Sequence, residues 1–369
     1  MTKISIPINN LKVFFLHLCL IFLFSYPLFY IAYKYYVPDL AIIDYYQYQK
    51  MIEKPMNLSA TYAQWVTRQL PTCIAALIKK LHIYYHSPQI TYSYFKGFHG
   101  LNSQQNYFSF LLSNYLAYLF SVSIMLMIAS KQAIKHPHLK FLIIAVSIGY
   151  FIVPTSIITA STHAYGWLAS SIFIFGILRK KYLGIIVSLI IAMLSRETIF
   201  LFLIPFIFFT ILFIYLKSKE FNMYLFKIFL LTILFALSLY IFRYYIVESM
   251  QAKGHIWGHD KNNLSLNNIL DVLSKLKSID ADFAFQVVLS NGVLFYLLYK
   301  INNVSKNHFW VFILSYLSIF IFYFLLGAGN NIGRLLGESF PILIILSIIT
   351  IPEALQLPMP ESTEKASIN

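Results

Sequence analysis

Ile42-Ile43-Asp44-Tyr45-Tyr46, continuing through Glu53-Lys54-Pro55 to Trp65-Val66-Thr67-Arg68-Gln69-Leu70-Pro71, is a polar passage between two apolar regimes. Before it lies the apolar run Val13 to Tyr33, and after it the chain returns again and again to runs of similar character. Read as a loop beside a membrane, this passage makes everything around it membrane scaffold. Of the 369 residues, 59% are hydrophobic, 18% aromatic and only 11% charged. A soluble domain has about 45–50% apolar and about 25% charged residues. The composition therefore predicts an all-α polytopic transmembrane helix bundle.

A membrane span needs about 20 predominantly apolar residues, and fewer where the helix is buried in protein. On that basis ten segments qualify: 13–33, 106–129, 140–159, 164–178, 182–195, 198–216, 224–246, 284–300, 308–327 and 339–353. The first has the length of a full span and no small-residue cleavage site after it, so it reads as a retained anchor rather than a signal peptide. Residues 1–353 form one transmembrane domain with two long outer loops, 34–105 and 247–283, and 354–369 form a polar cytoplasmic tail.

The net charge of +14 does not point to nucleic acid, because the basic residues are scattered in short groups between apolar runs. Lys3 and Lys12 precede the first span. Lys131, Lys135 and Lys140, then Arg179, Lys180 and Lys181, then Lys217, Lys219 and Lys227, and finally Lys300 and Lys306 fill alternate connections. The opposite short connections hold only Arg196 and Arg334. Ten spans with both termini cytoplasmic satisfy this bias, since long loops translocate largely regardless of charge. Cys19 and Cys73 supply neither a disulfide framework nor a metal spacing.

Within the first outer loop, Pro71 to His82 reads as a short helix with Ile74, Leu77, Ile78 and Leu81 on one side and Lys79 and Lys80 on the other. Too short to span, it is expected to lie at the interface. Asn262 to Lys277 reads as a second amphipathic helix, in the later loop.

This topology gathers the isolated polar groups Asp44, Arg68, His163, Arg196, Glu197, His255, His259, Asp260 and Arg334 on the outer side. Ionisable groups beside spans usually face a cavity or a partner. Ser195-Arg196-Glu197-Thr198 joins two apolar segments. Adjacent residues on a helix do not face each other, so Arg196 and Glu197 are expected to have separate partners; the bland alternative is a solvated hairpin turn. Asp44 and Glu197 are the candidate catalytic carboxylates, Asp44 as a general base accepting a proton from an acceptor hydroxyl. Asp44 otherwise reads as a helix-end or loop carboxylate among belt tyrosines.

Arg68, Arg196 and Arg334 are candidate phosphate ligands, because a guanidinium grips phosphate through two parallel hydrogen bonds where lysine offers a point charge. Snorkelling to the headgroups is the competing role for Arg68 and Arg334. Tyr48, His163 and Asn330, the last inside the glycine-rich turn Gly327 to Arg334, are candidate acceptor-binding residues. The histidines read as polar caps, and no metal ligands are assigned.

The first-loop Asp44 and Tyr48, Arg68-Gln69-Leu70-Pro71 opening a juxtamembrane helix, Leu194-Ser195-Arg196-Glu197, and Gly333-Arg334 leading to Phe340-Pro341 together resemble the GT-C superfamily of polytopic glycosyltransferases, in its small bacterial members. The resemblance implies transfer of a sugar from a polyprenyl-phosphate donor to a lipid-linked or surface glycan on the outer face of a bacterial inner membrane. It implies Asp44 as base or acceptor-orienting group and the three arginines near the donor phosphate, with a divalent metal left open. Departures are the missing acidic doublet in the first loop and the missing large C-terminal soluble domain. A polysaccharide polymerase or ligase would share the layout. A lipid or glycan transporter is the third reading, against which stand the lack of an inverted repeat and the few charges deep in spans.

Overall fold

Aromatic and branched side chains at helical spacing decide the architecture from the first residues onward. The computed structural model describes residues 10–34, 41–58, 66–83, 101–135, 138–149, 162–250, 296, 306–325 and 339–346. Helix α1 runs Asn10–Lys34, α2 Ala41–Glu53, α3 Gln69–Lys80, α4 Leu101–Lys135 and α5 His138–Gly149. Helices α6 (His163–Arg179) and α7 (Tyr182–Ser195) form a hairpin. A 3-10 turn at Glu197–Ile199 leads into α8 (Phe200–Ser218), followed by α9 (Met223–Met250) and α10 (Lys306–Leu325). Residues 340–346 form a last helical piece. No strand occurs among the described residues.

Four helical stretches are long and apolar enough to cross a membrane: Lys12–Tyr33, Gln105–Ala129, Glu197–Ser218 and Met223–Tyr245. They make this a membrane protein with several spanning helices. Helices α6 and α7, with 17 and 14 residues, are shorter than a full span. Apart from residue 296, the expected segment 284–300 lies outside the described residues, as do the expected helix Asn262 to Lys277 and the turn Gly327 to Arg334.

Helix α4 is the axis of the bundle, packing against α1, α3, α5 and α6. Its buried positions Ser109, Ser113, Ala117 and Ser121 repeat every four residues, which puts small side chains along one face. Small residues let helix backbones approach, and their hydroxyls bond across the gap. Ser113 and the Tyr165 hydroxyl are 2.5 Å apart, and Ser121 lies 2.7 Å from Ser171, both fastening α4 to α6. On the other side of α4, the Ser25 and Tyr115 hydroxyls meet at 2.9 Å and Phe29 stacks on Tyr115 with ring centres 4.8 Å apart.

The α6–α7 hairpin is drawn tight by glycine. A Cβ built on Gly176 would lie 2.9 Å from the backbone nitrogen of Ile185, so no larger residue fits without parting the helices. Lys180 ends α6 in the left-handed region, at φ 53°, and the Lys181 N–H donates to the Gly176 carbonyl at 2.9 Å. That returning bond is the usual way a helix C-terminus satisfies an orphan carbonyl. On the far side of α6, Trp167 stacks on Phe340 with ring centres 5.1 Å apart, and this contact holds the last helical piece to the bundle.

Two expectations need correction. The passage around Asp44 is helix, not loop, from Ala41 to Glu53. Tyr45, Tyr48 and Ile52 fall at i, i+3 and i+7, all buried, and the two tyrosine rings pack on Tyr107 and Phe110 of α4. Burial of that face outweighs the polar residues on the other. In α3, Ile78 is buried together with the small Thr72, Ala75 and Ala76, whereas Leu77 and, just past the helix end, Leu81 are 57% and 60% exposed. The four apolar residues expected on one side are therefore divided, because small residues allow the close approach of α4 and Ile78 turns inward with them.

Candidate functional site

The break between α7 and α8 sets up the site. Ser195 back-bonds through its hydroxyl to the Ile191 carbonyl. Arg196 then leaves helical geometry, at φ −151° and ψ 76°, and the chain resumes as the 3-10 turn Glu197–Ile199. Because this single extended residue separates two helical stretches, the Arg196 and Glu197 side chains leave in different directions.

Glu197 meets two guanidiniums. Arg68, at the N-terminal boundary of α3, donates from Nη2 to Oε1 at 2.8 Å and from Nε to Oε2 at 3.2 Å. Arg243, near the C-terminal end of α9, places Nη2 2.9 Å from the same Oε1. Arg68 Nη1 donates to the Tyr48 hydroxyl at 2.7 Å. The Tyr48 ring is held in turn by stacking on Phe110, with ring centres 4.9 Å apart. Arg243 also donates to Thr67 Oγ1, from Nη2 at 2.7 Å and from Nε at 3.0 Å. Residues from α2, the start of α3, the α7–α8 junction and α9 thus converge at one end of the bundle. Glu197 retains only 14% side-chain exposure, so these contacts form largely away from bulk water, where charge-assisted bonds are strongest.

Beside this triad, Arg196 Nη2 lies 3.2 Å from His163 Nε2. A guanidinium only donates, so His163 Nε2 is the acceptor and the imidazole is neutral with its proton on Nδ1. Both residues are buried. Among the described side chains of this region, two guanidiniums bind one carboxylate and a third lies beside them on a neutral imidazole. Such a set suits an anion and repels a cation. No group of three His, Cys, Asp or Glu residues able to hold a metal occurs among the described residues.

The structure therefore brings together five residues singled out from the sequence: Tyr48, Arg68, His163, Arg196 and Glu197. Glu197 is placed differently from the expectation of a catalytic carboxylate. With both oxygens taken by arginine donors, it acts as a counter-ion, and it would have to leave those donors before accepting a proton. Asp44 stands in the first turn of α2, four residues and one helical turn before Tyr48; its side chain is outside the described residues. Arg334, Asn330, His255, His259 and Asp260 also lie outside them.

Arg243 and Thr67 escaped the sequence reading. Arg243 sits in Phe242-Arg243-Tyr244-Tyr245, at the edge of an apolar run, where arginine flanked by aromatics reads as an interfacial anchor. The available signal was its depth: apart from Lys227, it is the sole charge between Met223 and Tyr245. Ionisable groups so placed usually have partners inside the protein. No protein-family model, curated protein or solved structure matches the chain.

Proposed function

We propose that this protein is a membrane glycosyltransferase of GT-C type, taking a sugar from a polyprenyl-phosphate donor and passing it to a lipid-linked or cell-surface glycan. The observation that carries the reading is the convergence of Arg68, Arg196 and Arg243 at one end of an apolar helix bundle. A lipid-borne phosphate needs both features at once, an apolar scaffold beside its chain and fixed cationic donors at its head. In this reading the acceptor hydroxyl oxygen attacks the anomeric carbon of the donor sugar. The bond from that carbon to the phosphate oxygen breaks, the bonding electrons leave with the phosphate, and the hydroxyl proton passes to Asp44. Guanidiniums already in place stabilise the charge that grows on the departing oxygen. Tyr48, held by Arg68, and the neutral His163 supply hydrogen bonds for orienting the sugar or the acceptor. By the resemblance alone, the proposal also assigns Asn330 to the acceptor and Arg334 to the donor phosphate.

The arrangement in the membrane belongs to the same proposal. Ten spans with both termini cytoplasmic put the arginine cluster on the outer face of a bacterial inner membrane. A polymerase or ligase of lipid-linked glycans would use the same cluster on a donor carrying a longer glycan.

The test is sugar transfer by the purified protein in detergent, offered a panel of polyprenyl-phosphate sugars and extracted lipid-linked glycans, with Asp44→Asn beside wild type. Transfer by wild type falls at least a hundredfold in Asp44→Asn, the scale expected of a lost general base. An unchanged rate in the variant would remove Asp44 from the mechanism. Absence of transfer from every donor, with the protein folded, would overturn the enzyme reading in favour of transport, which flux across proteoliposomes would then measure.

A further inference from the structure

Glu197 is bound as a ligand would be. It offers its two oxygens to the Nε and Nη2 edge of Arg68, at 3.2 and 2.8 Å, and shares one of them with Arg243 at 2.9 Å. That edge is the one through which a guanidinium grips two phosphate oxygens. Arg68 cannot use it on a phosphate and on Glu197 at the same time. The third donor of Arg68, Nη1, is anchored on Tyr48, and Arg243 is anchored on Thr67. Each arginine thus has a second anchor besides the carboxylate. Glu197 itself stands on a three-residue 3-10 turn between α7 and α8, the kind of short irregular stretch that serves as a hinge.

We infer that Glu197 is an internal substitute for the phosphate of the ligand, holding Arg68 and Arg243 until a phosphate displaces it. The inference rests on reading the cluster as an anion site. A phosphate group carries more oxygens and, as a monoester or diphosphate, more charge than one carboxylate, so it outcompetes Glu197 for the two guanidiniums. The displaced carboxylate moves with its turn. Tyr48 and Thr67 keep the arginines aimed throughout the exchange. Glu197 then sets the affinity of the site by competition, and its removal strengthens binding. A permanent structural staple would behave in the opposite way, because losing it would let the arginines drift and weaken binding.

The experiment uses the full chain in nanodiscs of neutral lipid and measures binding of inorganic pyrophosphate and, separately, of a polyprenyl phosphate. Wild type is compared with Glu197→Gln, Arg243→Gln and Glu53→Gln, the last removing the same charge outside the triad. Glu197→Gln is expected to bind about tenfold more tightly than wild type and Arg243→Gln about tenfold more weakly, with Glu53→Gln unchanged. Tightening for both ligands assigns the site to the phosphate group itself. Tightening for the polyprenyl phosphate alone assigns it to a lipid-borne phosphate. If Glu197→Gln does not fold, Glu197→Asp, which withdraws the carboxylate by one methylene, gives the same direction with a smaller gain. Binding to wild type that is unchanged or weaker in the Glu197 variants overturns the substitute role while leaving the anion site standing. Equal tightening in Glu53→Gln would reduce the effect to net charge and overturn it as well. No binding to any form overturns both the inference and the anion site beneath it. Tightened binding without sugar transfer overturns only the glycosyltransferase reading.

Discussion

Arg196 and Glu197 are neighbours in sequence with different partners in space, and this division accounts for most of the chemistry at the site. The separation was legible in the sequence, since adjacent helical residues cannot pair and a lone carboxylate beside an apolar run needs a counter-ion. The identity of the counter-ions was not. Arg68 lies 129 residues from Glu197, and no local pattern reports a contact across that distance. Removing one partner of a largely buried ion pair leaves the others uncompensated, at a cost of about 3–5 kcal/mol. Glu197→Ala, which leaves Arg68 and Arg243 facing each other, should therefore lower the thermal midpoint of the detergent-purified protein clearly. Arg243→Gln should lower it less, because Glu197 keeps its paired bonds to Arg68. A Glu197→Ala protein as stable as wild type would show that the triad contributes nothing to folding.

Among the elements, α6 and α7 show how a short loop and two glycines set a helix spacing. Gly176 and Gly184 pass so closely that a Cβ on the first would sit 2.9 Å from backbone, whereas a Cβ on the second would meet the Gly176 Cα at 3.4 Å. Overpacking that forces backbone to move costs about 1–3 kcal/mol. Gly176→Ala should lower the thermal midpoint and, by parting α7 from α6, loosen the Arg196–His163 contact that joins their far ends. Gly184→Ala, at ordinary contact distance, should be nearly neutral in the same measurement. Equal midpoints for the two variants would mean that the hairpin tolerates the extra methyl group. The boundaries of these helices were legible from apolar run length and the basic cluster at Arg179 to Lys181. The helix at Ala41–Glu53 was not, because its buried tyrosines and glutamine read as a polar loop until α4 is there to cover them.

For the whole molecule, the arginine cluster and the α6–α7 turn lie at opposite ends of the hairpin, and the proposed topology puts them on opposite sides of the membrane. In a variant with Cys19 and Cys73 replaced, a cysteine at exposed Lys80 should react with a membrane-impermeant maleimide in intact cells or spheroplasts. One at exposed Lys181 should react only after permeabilisation. The reverse pattern would invert the arrangement and move the site to the cytoplasmic face. The class of the protein follows from the chain's composition: apolar run length and a charge content of 11% require a helical membrane bundle, since every backbone group in lipid must bond within its own segment. The sequence also marked most of the polar residues that the bundle collects, because an ionisable group in apolar sequence is costly wherever it ends up. That Arg243 and Thr67 belong with them, and that Glu197 is held by two arginines, emerges only once the helices are packed. Pairing depends on which helix ends meet, and that is set by the packing of small residues along α4 and α6.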